Sequence, residues 1–185
     1  MKLVLIGDLH FPAIDQGVSG IAEARQSFFF NIFLDKFLEQ EGDYHISLGD
    51  LTHYGLQEEL ESVYHLLRRN QRNFVHVLGN HDLYAQRRQD VLKQTGQLRY
   101  HSITTDLGVL AFIDTAKEMN YEDWGGWVDE EQLAWLEQVV QDSGTKPLFL
   151  FAHHPVYQTT KRSEVEKALF IHRLICGVFL SKSKA

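Results

Sequence analysis

Four short apolar runs, each stopping at a knot of polar residues, constrain the fold of this chain more than anything else in it. Lys2-Leu3-Val4-Leu5-Ile6 runs into Gly7-Asp8-Leu9-His10, and Tyr44-His45-Ile46-Ser47-Leu48 into Gly49-Asp50. Phe74-Val75-His76-Val77-Leu78 leads to Gly79-Asn80-His81-Asp82, and Pro147-Leu148-Phe149-Leu150-Phe151-Ala152 to His153-His154-Pro155. Runs of this length and composition suit buried strands. Amphipathic stretches lie between them, the alternation expected of an α/β sheet covered by helices. Carboxylate, imidazole and amide groups would then gather along one edge of the sheet.

The first strand is expected at 2–7. A helix over Glu23–Gln40 follows, with Phe29, Phe33, Phe37 and Leu38 at helical spacing. Strands near 44–48 and 74–78 precede helices over Gln57–Arg69 and Ala85–Lys93. Residues 98–104 and 107–113 read as an antiparallel hairpin. Asp129 is a plausible N-cap, with Gln132 three residues on as its capping-box partner. The helix it opens runs through Leu133, Leu136 and Val140. A last strand at 147–152 and a helix over 163–174 complete the pattern. The longest irregular piece, Lys117–Val128, carries Trp124 and Trp127. No linker or repeat divides the chain, and 185 residues suit one domain.

Composition removes several classes of function. A net charge of -7 argues against nonspecific binding to nucleic acid or anionic membranes. It leaves anionic substrates open if metal ions supply local positive charge. No run approaches the roughly 18 apolar residues of a membrane span. The first apolar run is too short for a signal peptide. The lone cysteine, Cys176, excludes an internal disulfide and suits a reducing compartment, so a cytoplasmic location is expected.

Each polar knot has a functional and a plain reading. Asp8 and His10 are two apart, so in extended backbone they share a face and can hold a transition metal. Taken alone, the pair fits a turn cap and a surface histidine at least as well. Asp50 can bridge two cations or simply cap a turn. His53 and Tyr54 just beyond could reach a substrate or lie on a loop surface. Gly79-Asn80-His81-Asp82 is more specific. Asn80 offers a carbonyl oxygen, His81 can carry a proton to a leaving group, and Asp82 can orient His81. Of His153 and His154, one should face the crevice and the other a loop.

In this order, Asp-x-His, Gly-Asp, Gly-Asn-His-Asp and His-x-Pro resemble the calcineurin-like metallophosphoesterase superfamily. Asp129, Gln132, Trp135 and Leu136 look most like its bacterial phosphodiesterase branch. The resemblance spans Lys2 to Gly177. It implies a four-layer αββα sandwich over residues 1–177, C-terminally truncated, with 178–185 as a tail outside the family pattern. It implies two divalent or trivalent metal ions (Mn, Fe, Zn or Co), with Asp8 and His10 on the first, Asp50 bridging, and Asn80 and His153 on the second. His81, with Asp82 behind it, would be the catalytic pair. His53, Tyr54 and His154 would meet the substrate, with Tyr84, Trp124 and Trp127 as further wall candidates.

The implied activity is hydrolysis of a phosphate-ester small molecule, a phosphodiester before a phosphomonoester, by a metal-activated hydroxide. The family's closing Gly-His-x-His is not matched, because Val178 and Leu180 follow Cys176-Gly177 where histidines are expected. A truncated or frameshifted gene, ligands from another chain, or a natural variant would each account for this. The alternative function is therefore an impaired fold that binds metal or phosphate without efficient turnover. Strands missing from the second sheet would expose an edge and favour a homo-oligomer.

Overall fold

The computed structural model describes residues 1–11 and 31–156. Strand β1 (Leu3–Ile6) is followed by helical residues 31–39 (α1), β2 (Tyr44–Ser47) and α2 (Gln57–Leu67). Strand β3 (Phe74–His76), α3 (Arg88–Thr95), β4 (His101–Thr104), β5 (Val109–Phe112), α4 (Glu130–Asp142) and β6 (Leu148–Phe151) complete the order. The expected helix before residue 31, the helix over 163–174 and the tail 178–185 lie outside the described residues. No helix among the described residues is long and apolar enough to cross a membrane.

The strands form two sheets. In the first, β1, β2 and β3 run parallel in that order, with Leu5 opposite Ile46 and Ile46 opposite Val75. In the second, central β5 pairs antiparallel with β4 and parallel with β6. Alternation along β5 explains the layering, because successive side chains point to opposite faces. Leu110 and Phe112 meet Ile46, Val75, Val77 and Phe151 between the sheets. Val109 and Ala111 meet Leu136 and Val139 of α4. On the outer face of the first sheet, Ile6 packs with Leu34, Phe37 and Leu38 of α1, Leu60, Val63 and Leu67 of α2, and Val91 of α3. Helices, sheet, sheet, helix: this is the expected αββα order.

Local details depart from expectation at three places. The third helix starts at Arg88, not Ala85, because His81–Leu83 first forms a single 3₁₀ turn. The second helix ends at Leu67 and tightens into a 3₁₀ turn over Arg68–Asn70. The capping box at Asp129 is only half made. The Asp129 carboxylate accepts from Gln132 N at 2.8 Å. The Gln132 side chain, however, turns inward: Oε1 accepts from Asp114 N at 2.7 Å, and Nε2 donates to Asp114 O at 2.8 Å. Fully buried, Gln132 thus substitutes for a missing strand neighbour at the end of β5 and ties α4 to the second sheet.

Removing the Gln132 amide leaves a buried N–H and a buried C=O without their partner. Gln132→Ala should therefore destabilise the chain by about 3 kcal/mol in urea unfolding, at roughly 1–3 kcal/mol per orphaned group. Gln132→Glu, which buries a carboxylate against the Asp114 carbonyl oxygen, should cost at least as much at neutral pH.

Candidate metal centre

The polar knots after β1, β2, β3 and β6 converge, and they do so through close backbone contact rather than through extended strands. Asp8, His10 and Asp50 all adopt left-handed backbone, with φ of 50°, 48° and 50°. Such conformations are uncommon for residues bearing a Cβ and cluster at functional sites. The loops that carry them are laced together. Asp8 N donates to Gly49 O at 3.1 Å, His10 N to Asp50 O at 2.9 Å, and Phe11 N to Leu51 O at 2.9 Å. The extended backbone expected at Asp8 and His10 is therefore absent. The two residues flank Asp50 instead of sharing one strand face.

Glycine is required at two points here. A Cβ at Gly79 would collide with the Asp50 carboxylate and backbone, and one at Gly49 (φ 103°) would sit 2.5 Å from His153 Nδ1. The Gly-Asp and Gly-Asn-His motifs thus record how tightly the loops after β2 and β3 approach each other.

Asp50 is buried at the centre. Its Oδ1 accepts from His81 N at 2.9 Å. Its Oδ2 lies 3.5 Å from His153 Nε2 and 3.8 Å from His10 Nε2. His153 Nδ1 donates to Leu48 O at 2.9 Å, which leaves Nε2 as the nitrogen aimed at the carboxylate. Burial works to lower the His153 pKa, but the Asp50 carboxylate outweighs it and raises the value. In the protein alone a proton satisfies that pair, and a cation could take its place. Asp8, Asp50 and His153 each bring one ligand atom within 4.8 Å of the others. Asn80 donates Nδ2 to Tyr84 Oη at 2.6 Å, which leaves Oδ1 as the atom available to a cation. Two carboxylates, an imidazole and an amide oxygen form a donor set that suits a divalent transition metal.

His10 is the exception within the expected ligands. Burial is the main cause of its lowered pKa, with the neighbouring His81 and His53 adding to the fall against Asp50 and Asp8. It belongs to a second group, His10–His53–His81, whose ligand nitrogens also lie within 4.8 Å of one another. Tyr54, 42% exposed, packs edge-on against His53.

A cavity of about 470 Å³ opens over the centre, lined by Asp8, Asp50, Asn80, His81, Tyr84, Trp124 and His153 to Pro155. His53 and Tyr54 are not among its lining residues. Trp127 lines a separate depression with Arg87, Arg88 and Arg99.

One expected role is corrected. Asp82 does not touch His81. Its carboxylate accepts from Thr52 N and Oγ1 at 2.8 and 2.9 Å, from Gly79 N at 2.9 Å and from His76 Nε2 at 3.1 Å. Burial alone would raise its pKa, yet His76 and these hydrogen bonds hold it at about 2. Asp82 is a fully buried brace between the loops after β2 and β3. The residue that orients His81 is His53, whose carbonyl accepts from His81 Nδ1 at 2.6 Å. His154 faces both the cavity and a loop, because Trp124 lies in the irregular stretch Lys117–Val128. It lines the cavity with both ring nitrogens occupied, Nδ1 by Thr115 Oγ1 at 2.8 Å and Nε2 by Trp124 O at 2.7 Å. Thr115 went unnoticed in the sequence, although Asp114-Thr115 closes the run Val109–Ile113 just as the other knots close theirs.

A model of the calcineurin-like phosphoesterase family matches residues 1–177. The chain belongs to that family. Among curated relatives, the glycerophosphodiester phosphodiesterase of Enterobacter lignolyticus is 26% identical over 162 residues, which cover 84% of this chain and 57% of that protein. A protein of Rhodopseudomonas palustris, named a probable cyclic nucleotide phosphodiesterase, is 25% identical over 170 residues, 88% of this chain and 60% of that one. The chain thus spans well under two thirds of the length of these relatives. A dimetal phosphatase from Danio rerio shares the fold, with a TM-score of 0.71 at 14% identity, over 98% of this chain and 76% of that one.

The His154 environment makes a prediction for the metal-free protein. Burial first, and then the neighbouring His153, lower its pKa from 6.5 to about 4. An unfolded histidine binds its proton at higher pH than the folded one. The stability tied to neutral His154 is therefore complete above pH 6.5 and lost as pH falls towards 4. In an NMR titration its ring should stay neutral to about pH 4 while His153 titrates above 6.5.

Proposed function

We propose that the chain is a metal-dependent phosphoesterase acting on phosphodiesters in preference to phosphomonoesters. The observation that carries this reading is the buried Asp50 carboxylate, with one oxygen faced by imidazole nitrogens from two sides at 3.5 and 3.8 Å. That is the arrangement a bridging carboxylate needs between two cations. Family membership and the two relatives named as phosphodiesterases support the substrate class.

In this reading Asp8, His10 and Asp50 would hold one ion, and Asp50, Asn80 and His153 the other. When bound, such ions neutralise phosphate charge and lower the pKa of water. The protein does the rest. Asp50 keeps the donor groups in register because the backbone of His81 and the loop of Gly79 fix it. His81, with Nδ1 donating to the His53 carbonyl, has Nε2 left to exchange a proton with the departing ester oxygen. Tyr84 and Trp124 wall the cavity, and His154 holds the Trp124 backbone against it through Nε2.

Hydrolysis of bis(p-nitrophenyl) phosphate should depend on added Mn²⁺ and fall at least about 100-fold in Asp50→Ala, since loss of groups merely behind the ligands already costs roughly 10–100-fold. Tight metal uptake with no turnover would favour a second reading, a fold that binds metal or phosphate without efficient catalysis. No uptake and no turnover would contradict both.

A further inference from the structure

We propose that Tyr84 is a further catalytic residue, whose hydroxyl donates a hydrogen bond to a non-bridging phosphate oxygen of the substrate. The proposal rests on the phosphoesterase reading and names the side chain that meets the phosphate from the cavity wall. On its acceptor side the hydroxyl is already committed, since Asn80 Nδ2 donates to Oη at 2.6 Å. A phenol also carries one hydrogen of its own, which it keeps at neutral pH. Among the described residues nothing accepts that hydrogen. Tyr84 is nevertheless only 9% exposed, and it lines the cavity over Asp50. A largely buried donor without an acceptor is costly, and a ligand that supplies one relieves the cost.

The donor is also held in place. Its ring packs against two others, Tyr121 stacked at 4.3 Å and 26°, and His81 at 4.5 Å and 49°. The backbone around it is pinned as well. Tyr84 N donates to His81 O at 3.4 Å, and Ala85 N donates to Tyr54 O at 3.1 Å. A hydrogen-bond donor fixed before the substrate arrives needs no reorganisation when charge develops on the phosphate.

The neighbours on the wall have other commitments. Asp8 and Asp50 are carboxylates and cannot donate to phosphate oxygens. Both ring nitrogens of His154 are taken, and His153 donates Nδ1 to Leu48 O and turns Nε2 to Asp50. No lysine or arginine is among the described residues lining the cavity. A neutral hydroxyl suits the single charge that a diester spreads over its two non-bridging oxygens. The second charge of a monoester would find no cationic side chain among those residues, so the same wall favours the diester.

The test compares the full chain with Tyr84→Phe, which keeps the ring and removes only the hydroxyl. With bis(p-nitrophenyl) phosphate at saturating Mn²⁺, the variant should lose about 10- to 100-fold in kcat/KM, the range of a hydrogen bond to a charged group. Inorganic phosphate should bind the Mn²⁺-loaded variant about tenfold more weakly by isothermal titration. A defect that further Mn²⁺ erases, with phosphate binding unchanged, would overturn the proposal, because the hydroxyl would then act only by holding Asn80. Equal kinetics and equal phosphate binding in the two proteins would overturn it as well. In either case Mn²⁺-dependent turnover by the wild type would leave the phosphoesterase reading standing. Absence of turnover in the wild type would sink that reading and the proposal together.

Discussion

The close approach of Asp50 to Gly79 is the constraint from which the rest of the centre follows. No side chain fits between the loops after β2 and β3, so the Asp50 carboxylate is pressed against backbone and accepts from His81 N. Asp8, His10 and Asp50 all hold left-handed backbone where the loops after β1 and β2 meet. That strain is offset by the hydrogen bonds lacing the β1 and β2 loops and by the Asp82 brace below them. The carboxylate is thus fixed before any ligand arrives, and preorganisation of this kind is what a binding or catalytic centre requires.

Much of the layering was legible from the sequence because it rests on periodicity. The alternation Val109, Leu110, Ala111, Phe112 specifies two buried faces, and the apolar spacing of α2 and α4 specifies what covers the outer ones. The ends of the runs were legible too, since glycine beside aspartate or asparagine after a strand has few structural uses. What the sequence could not reveal was backbone conformation beyond the strand ends. Asp8 and His10 look like alternating strand residues, and only the packed structure turns them left-handed. Partner identity was likewise hidden. Asp82 follows His81 directly, yet a buried carboxylate goes wherever unsatisfied N–H groups are, and those belong to Thr52 and Gly79. Gln132 left its capping role for the same reason, drawn to the free backbone groups of Asp114.

The centre also divides by donor chemistry in a way that the order of motifs conceals. Oxygen donors of Asp8, Asp50 and Asn80 line the cavity with His153, whereas His10 turns Nδ1 towards His53. His10 is the joint between the two groups, with Nε2 towards Asp50 and Nδ1 towards His53. Ligand preference in such a site would follow ion softness more than charge, because imidazole and carboxylate donors lie within one loop cluster.

The central claim is that Asp50 and the groups around it hold cations. Anomalous diffraction from crystals of the protein soaked in Mn²⁺ tests it directly. The account expects a strong peak in bonding contact with Asp50 Oδ2 and His153 Nε2. Density for manganese elsewhere only, with Asp50 still facing a bare His153, would contradict it.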